Sequence, residues 1–380
     1  MTISSLRSLP KFLLALAMLA ALTAPAAAID TTAKQAILVD FNTGGVLYEK
    51  NADEPAPPSS MSKMMTVYLL FERLKSGAVK LDDTFPVSRK AWKMGGSKMF
   101  VRVDTRVAVD DLLHGIITQS GNDACIVVAE ALGGTEEGFA ELMNKKGKEL
   151  GLEHSKFANA TGWPDPNDMM SVRDLAKLAA ATIRNFPDFY KRYYGLPEFT
   201  FNNIRQHNRN PVIGKIAGGD GLKTGHTDAG GYGVAASAER DGRRLILVLN
   251  GLGSWDSRVE ETGAMLEWGF REFRNYALFK AGDTAAEADV WLGTEPTVPL
   301  VTAAPVTVTL PIKSRDAMKV KVVYDGVAAP VKKGDKLGDL VVSAPDTKDI
   351  VVPLYAGADV EKKGMFGRIG AALNRFVSGG

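Results

Sequence analysis

The order of the predicted elements indicates an α+β fold, in which helices flank an antiparallel sheet, followed by a small all-β domain. Strand-forming runs lie near both ends of a first region that ends at about residue 274, and a long block with helical periodicity separates them. Beyond about Asn275, short alternating strands with Gly and Asp turns replace the helical patterns. This segregation favours an antiparallel sheet over the alternating βαβ units of a parallel one.

The first region begins and ends with a predicted β-hairpin. The first hairpin turns at Asn42-Thr43-Gly44-Gly45 and the second at Arg240-Asp241-Gly242, both typical turn sequences. From Met64 onward, one helix is apolar almost all round, as in a helix buried on every side. The other predicted helices of the region are VDDLLHGIITQS, DACIVVAEAL, SVRDLAKLAAATI and a last one around VEETGAMLEWGF. A Gly- and Pro-rich loop, ANATGWPDPNDMM, interrupts them.

The second region, residues 275–358, has the pattern of short strands. In APVTVTLPI the apolar residues Val306, Val308, Leu310 and Ile312 alternate with the intervening positions. MKVKVVYD and DIVVPLYA continue the pattern, and no titratable residues cluster there. We therefore expect this domain to be a spacer or scaffold.

The N-terminus has the three parts of a Sec-type signal peptide. Arg7 and Lys11 precede an apolar run from Phe12 to Leu22, and the small residues Ala26 to Ala28 follow. The alternative is an uncleaved membrane anchor, but the run is too short to span about 30 Å of hydrocarbon. We expect cleavage after about Ala28, an exported protein, and a first domain that spans residues 29–274.

Composition excludes several classes of function. The formal net charge of +2 over 380 residues gives no reason to expect nucleic acid as a partner. Cys125 is the only cysteine, so no intramolecular disulfide can form, and its apolar surroundings predict a core residue. The four histidines lack the spacing of a metal site, and no metal or other cofactor is expected.

A serine and a lysine stand three residues apart where the apolar helix begins. Ser60 and Lys63 should share one helix face, so that the amine reaches the hydroxyl. A lysine can act as a base toward a serine only if its pKa is lowered, and burial near the positive end of a helix would lower it. A helix cap with a solvated lysine is the simpler interpretation of this motif alone.

Two further motifs strengthen the catalytic interpretation. Ser120-Gly121-Asn122 lies between two apolar helices, where a turn could present a hydroxyl and an amide to a cleft. Lys223-Thr224-Gly225 precedes a strand-forming run, where a strand edge could bind an extended peptide and Gly225 would let the ligand backbone approach. Ser-x-x-Lys, Ser-Asp-Asn and Lys-Thr-Gly form, in this order, the signature of class A β-lactamases and penicillin-binding proteins. Here Gly121 replaces the middle aspartate.

The sequence closely resembles the D-alanyl-D-alanine carboxypeptidases, the low-molecular-mass penicillin-binding proteins that trim peptidoglycan stem peptides. The resemblance runs from about Ile29 to the tail and is carried by SSMSKMMT, QSGNDAC, QHNRN, GLKTGHTDAGGYG and LEWGF. It implies the β-lactamase/DD-peptidase-like fold with a C-terminal β domain, and no cofactor. Ser62 stands where the family often has threonine.

By resemblance and chemistry together, Ser60 attacks the carbonyl between the two terminal D-alanines, with Lys63 as general base. Ser120 relays a proton to the leaving amine, and Asn122 holds the substrate backbone. Lys223 lies beside Ser120 and keeps the cleft electropositive. The implied substrate is a peptidoglycan stem pentapeptide, and β-lactam antibiotics would acylate Ser60 as slow inhibitors.

The remaining predicted site residues bind the substrate. Thr224 is expected to contact the terminal carboxylate, beside Gly225. The backbone N–H groups of Ser60 and His226 are expected to form the oxyanion hole. Arg209 and Arg258 match basic positions of the family near the substrate carboxylate, which a guanidinium can bind in bidentate fashion.

Several alternatives remain open. A serine β-lactamase of class A would need a loop glutamate to activate the deacylating water, and ANATGWPDPNDMM contains none. A DD-transpeptidase or endopeptidase of the same fold differs mainly in the acceptor or the peptide bond attacked. A non-catalytic peptidoglycan-binding protein would not need a complete set of nucleophile, base and relay.

The last segment, residues 359–380, predicts an amphipathic helix. Its apolar residues share one face, whereas Arg368 and Arg375 lie toward the other, after Lys362 and Lys363. Such a helix suits the surface of an anionic membrane. We expect the protein to be periplasmic and peripherally attached to the outer leaflet of the cytoplasmic membrane.

Overall fold

The computed structural model describes residues 29–365. The predicted signal peptide and most of the predicted amphipathic helix lie outside the described residues. Within residues 29–365, every helix is too short or too polar to cross a membrane.

A five-stranded antiparallel sheet forms the centre of the first domain, which confirms the predicted sheet type. Its strands are β1 (Gln35–Asp40), β2 (Val46–Lys50), β9 (Gly219–Thr227), β10 (Gly231–Arg240) and β11 (Arg243–Leu252), in the order β2-β1-β11-β10-β9. The second predicted hairpin joins β10 and β11 through Asp241 and Gly242, both with positive φ, as a tight hairpin turn requires.

Helices form most of the chain between the two hairpins and cover the sheet. They are α1 (Lys63–Lys75), α2 (Arg89–Lys93), α3 (Val109–Ile117), α4 (Asn122–Gly133), α5 (Glu136–Glu149), α6 (Val172–Asn185) and α7 (Pro187–Tyr193), and α8 (Trp255–Glu272) follows β11. Every residue of α1 from Lys63 to Phe71 is buried, as its apolar sequence predicts. A 3-10 turn, Ser59–Ser62, leads directly into α1, so Ser60 lies in this turn and Lys63 is the first α-helical residue.

Short two-stranded ribbons connect the helices. They are β3 (Thr84–Pro86) with β4 (Arg106–Ala108), β5 (Ser155–Lys156) with β6 (Met169–Met170), and β7 (Glu198–Phe201) with β8 (Ile204–His207). The β5–β6 ribbon closes the Gly- and Pro-rich loop at its base.

The second domain is built from strands around its own apolar core. They are β12 (Phe273–Phe279), β13 (Thr284–Trp291), β14 (Thr297–Thr302), β15 (Val306–Pro311), β16 (Lys319–Tyr324), β17 (Val327–Ala328), β18 (Lys336–Ser343) and β19 (Ile350–Ala356). In β15 the predicted alternation buries Val306, Val308 and Leu310. Ile312 does not continue it: the residue is 44% exposed and begins a 3-10 turn that ends at Ala317.

Contacts of this core extend past the last strand. Val360 pairs with Val331 and is buried in the core of the second domain, and Lys363 donates its N–H to the carbonyl of Leu292. At the junction with the first domain, the side chain of Asn275 contacts the carboxylate of Asp40.

Candidate active site

Ser60 and Lys63 form a hydrogen-bonded pair at the start of α1. The Nζ atom of Lys63 lies 2.7 Å from the Oγ atom of Ser60 and also donates to the carbonyl of Thr161. Lys63 is fully buried, and this burial lowers the pKa of its amine from 10.5 to about 8. The amine is therefore neutral in an appreciable fraction of molecules near neutral pH, as a general base requires.

The backbone before Ser60 is held in an uncommon conformation. Ser59 has a φ of 51°, in the left-handed region, and its Oγ atom lies 2.9 Å from the Oγ1 atom of Thr227 at the end of β9. Residues other than glycine enter this region at a cost of order 1–3 kcal/mol and cluster at functional sites. The contact with Thr227 ties the serine turn to β9.

The Gly- and Pro-rich loop packs directly on the serine turn. Gly162 has a φ of +70°, and a Cβ atom added there would lie only 1.9 Å from the carbonyl oxygen of Ser59. A side chain at this position would thus push the loop away, together with the carbonyl of Thr161 that binds Lys63. Glycine is required at residue 162 to keep this support for the lysine.

A second serine and lysine form a pair from distant parts of the chain. The Nζ atom of Lys223, on β9, lies 2.9 Å from the Oγ atom of Ser120. Both residues are buried, and Ser120 has a φ of 60°. Burial first, and then the positive charges of Lys63 and Arg209, lower the pKa of Lys223 well below its ordinary value. The two serine–lysine pairs thus belong to one electropositive site.

Asn122 begins α4 and holds the loop that contains Gly95 and Ser97. Its backbone N–H donates to the carbonyl of Ser97 (2.7 Å), and its Nδ2 atom donates to the carbonyl of Gly95 (2.8 Å). The side chain of Trp163 contacts the same loop at Gly95 and Gly96. Asn122 therefore has a structural contact in addition to the role expected of it.

Strand β9 lies beside the serine turn at the edge of the central sheet, as far as the described strands define it. A Cβ atom added to Gly225 would lie 2.9 Å from the carbonyl oxygen of Pro58 and 3.3 Å from the backbone nitrogen of Ser60. Gly225 thus allows β9 to approach the serine turn, whereas we expected it to allow the approach of a ligand backbone. Thr224 is buried, and the exposed His226 packs its ring 4.0 Å from that of Tyr232.

The two predicted arginines take different positions. Arg209 donates from Nη1 to the Oγ atom of Ser97 (2.9 Å) and from Nη2 to the carbonyl of Gln119 (3.1 Å), next to Ser120. Arg258 is only 2% exposed and donates from Nη1 to the carbonyls of Gly225 (3.2 Å) and Gly233 (3.4 Å). Burial lowers the pKa of Arg258 to about 10.

These contacts place Arg209 beside Ser120, and Arg258 beneath the β9–β10 pair. In this structure the Nη1 atom of Arg258 is engaged by carbonyls of its own chain, so its geometry favours support of β9 over direct contact with a ligand.

Sequence reasoning missed residues that support the site without belonging to its motifs. They are Thr161, whose carbonyl binds Lys63, Gly162, and Asp123, which follows the second motif. The glycine could have been suspected from its loop, but nothing local in the sequence singles out Thr161 or Asp123.

The thiol of Cys125 interacts electrostatically with both lysines of the site. Cys125 is fully buried, and burial raises the pKa of its thiol to about 12, as for a core residue. Within residues 29–365, no group of three or more His, Cys, Asp or Glu residues is arranged to hold a metal ion.

Two family models match the chain. One, described as D-alanyl-D-alanine carboxypeptidase, matches residues 21–252. The other, described as penicillin-binding protein 5, C-terminal domain, matches residues 273–362. Together they cover both domains of the fold.

Individual proteins show the same similarity. The chain is 36% identical over 346 residues to the D-alanyl-D-alanine carboxypeptidase DacA of Haemophilus influenzae, covering 89% of this chain and 88% of that protein. The crystal structure of penicillin binding protein 5 from H. influenzae matches with a TM-score of 0.81 at 35% identity, covering 88% of this chain and 99% of that one. Penicillin-Binding Protein D2 from Listeria monocytogenes in its ampicillin-bound form matches with a TM-score of 0.59 at 28% identity, covering 64% and 99%.

Proposed function

The chain belongs to the D-alanyl-D-alanine carboxypeptidase family, and on that premise we propose how its residues carry out the reaction. The protein is a serine-type carboxypeptidase that removes the terminal D-alanine from peptidoglycan stem pentapeptides. The observation that carries the residue assignment is the 2.7 Å contact between the buried amine of Lys63 and the hydroxyl of Ser60.

Acylation begins when neutral Lys63 takes the proton of the Ser60 hydroxyl. The Oγ atom attacks the carbonyl between the two D-alanines, and the N–H groups of Ser60 and His226 stabilise the oxyanion. Ser120, beside the charge of Lys223, relays the proton taken up by Lys63 to the leaving D-alanine amine. The C–N bond breaks and an ester on Ser60 remains, which water then hydrolyses.

Substrate binding follows the edge of β9. The stem peptide adds to this edge as an extended strand, with its terminal carboxylate near Thr224 and the guanidinium of Arg209. Asn122 has its Nδ2 atom engaged by Gly95, which leaves the amide oxygen to accept from the substrate backbone. Arg258 acts beneath the strand by holding the carbonyl of Gly225.

β-Lactams acylate Ser60 in the same way, which agrees with the ampicillin-bound relative from L. monocytogenes. Rapid hydrolysis of the adduct would instead mark a β-lactamase. The loop from Ala158 to Met170 offers Asp165 and Asp168 but no glutamate. We therefore expect slow release of the adduct.

The test combines D-alanine release from a synthetic pentapeptide with labelling by a fluorescent penicillin. Ser60→Ala should abolish both and remain folded by circular dichroism. Ser76→Ala, at the exposed C-terminal end of the same helix, is the matched control and should keep both activities. Penicillin labelling of Ser60→Ala at the wild-type rate would refute the nucleophile. A labelled wild-type protein that releases no D-alanine would indicate a different acceptor or peptide bond.

Location is a separate part of the proposal. Export by residues 1–28 and attachment of the part of the predicted helix beyond Gly364 to an anionic membrane surface would place the enzyme in the periplasm beside its substrate. Because Val360 belongs to the core of the second domain, a test truncation should end after Gly364. The truncated protein should leave the membrane fraction and still release D-alanine. Identical partition of both forms would refute the anchor.

A further inference from the structure

Asp123 is a fully buried carboxylate that accepts four backbone hydrogen bonds. Its Oδ1 atom accepts from the N–H groups of Met99 (2.9 Å) and Ala124 (3.0 Å). Its Oδ2 atom accepts from those of Phe100 (2.8 Å) and Val101 (3.1 Å). Three consecutive N–H groups thus converge on one side chain, which is their shared hydrogen-bond acceptor.

The three residues bound in this way belong to the loop of residues 95–101, here called the cleft wall. Phe100 has a φ of 68°, a conformation that a bulky residue adopts only when its surroundings hold it there. The cleft wall contacts the site through Ser97. Its carbonyl accepts from the N–H of Asn122, and its hydroxyl accepts from Arg209.

Asp123 also explains the glycine in the second motif. A Cβ atom added to Gly121 would lie 3.0 Å from the Oδ1 atom of Asp123 and 3.1 Å from the backbone nitrogen of Met99. Both contacts are tighter than ordinary van der Waals distances. The carboxylate and the cleft wall therefore occupy the space that a side chain between Ser120 and Asn122 would need.

We propose that Asp123 is a positioning residue, which fixes the cleft wall against Asn122 and so sets the geometry of Ser120 and Asn122 for acylation. This inference rests on the proposed function. Asp123 contacts no reacting atom and acts through the wall. Asp123→Asn is the most informative change, because it keeps the volume of the side chain. Its amide NH2 group would face backbone N–H donors and could not accept hydrogen bonds from them.

Asp40 provides a matched control. It is also fully buried and accepts from the backbone N–H groups of Asn42 (3.0 Å) and Thr43 (3.1 Å) and from Arg243. It lies at the end of β1. The strand pairs that start from Asp40 and cross the sheet end at Gly219, which lies at the end of β9 distant from Gly225. Asp40→Asn should thus destabilise the fold without disturbing the cleft.

The experiment measures the rate constant of acylation at saturating penicillin, at a temperature where each variant is folded. A purely structural role would lower the amount of labelled protein but leave this rate constant unchanged. We expect Asp123→Asn to lower it at least tenfold and Asp40→Asn to change it less than twofold. Gly121→Ala would crowd Asp123 and the cleft wall, and it should lower this rate constant as well. It replaces Asp123→Asn in the test if that variant does not fold.

The inference is overturned if the folded Asp123→Asn protein is acylated within twofold of the wild-type rate, or if Asp40→Asn slows acylation equally. It is also overturned if Asp123→Asn cannot be folded and Gly121→Ala is acylated at the wild-type rate. A wild-type protein that penicillin does not acylate would instead refute the proposed function.

Discussion

The pH dependence of acylation tests the proposed base most directly. Burial lowers the pKa of Lys63 to about 8. The neutral fraction of the amine is then about one tenth at pH 7 and about one hundredth at pH 6, because each unit below the pKa reduces it roughly tenfold. If neutral Lys63 takes the proton of Ser60, acylation should quicken roughly tenfold from pH 6 to pH 7 and level off above pH 8.

The assay is the second-order rate constant of penicillin acylation, since it reports the free enzyme. The positive charge of Arg209 also lowers the pKa of Lys63. Arg209→Gln should therefore shift the rise in rate to higher pH, whatever it does to the maximal rate. Arg205→Gln is the control, because Arg205 is exposed and paired with Glu198.

A rate constant that is independent of pH between 6 and 8 would refute this reasoning, as would an Arg209→Gln profile that moves to lower pH. Lys223 is coupled to the same site, and its pKa is also depressed. Any decline in rate at higher pH would therefore belong to the pair of lysines rather than to one of them.

Three further changes test other parts of the site. Lys63→Arg should reduce penicillin acylation more than a hundredfold although it keeps the charge, because a guanidinium does not deprotonate; acylation within tenfold of wild type would mean that Lys63 supplies only charge. Gly162→Ala should lower the free energy of unfolding in urea by more than about 3 kcal/mol and slow acylation, because its Cβ atom would overlap the carbonyl of Ser59. Gly151→Ala, where φ is +68° and the added atom meets nothing within 4 Å, should cost only about 1–2 kcal/mol, and equal losses would contradict the packing argument. Arg258→Lys should slow acylation at least tenfold, since one amine cannot reproduce the guanidinium contacts beneath β9; an unchanged rate would exclude a supporting role.

The elements that local sequence determines were predicted well. Both hairpins of the central sheet turn where glycine and polar residues stand between apolar runs, because turn chemistry depends on a few adjacent residues. The buried start of α1 follows from its apolar sequence in the same way. The contact between Ser60 and Lys63 was also predictable, because the two residues lie within one turn of the chain.

Contacts between distant segments could not be predicted from spacing. Ser120 and Lys223 meet although they are 103 residues apart, and only the resemblance to a known family suggested that they would. The support of Lys63 by Thr161 spans 98 residues and uses a backbone carbonyl, which any residue type would supply. The prediction for Ile312 was wrong for a different reason. Its apolar side chain continues the alternation of β15, but Pro311 precedes it and the backbone turns there.

Arg258 illustrates why residue type alone does not assign a role. A guanidinium is suited to a substrate carboxylate and equally to the carbonyls of a neighbouring strand, so the family position does not distinguish the two. The structure favours the second use, because the side chain is 2% exposed and its Nη1 atom donates to two carbonyls of its own chain.

The same burial that suits Lys63 to its proposed role as a base also makes it a source of instability. In the unfolded chain its pKa returns to about 10.5, so between pH 8 and 10.5 the unfolded state binds more protons than the folded one, and stability rises with pH across that window. Below pH 8 the folded protein carries the whole penalty, about 3 kcal/mol for a shift of this size. This is a large fraction of the 5–15 kcal/mol by which a domain is typically stable. The buried apolar residues of α1 and its neighbours must offset it, and their close packing around the amine is therefore a condition of the proposed mechanism as well as of folding.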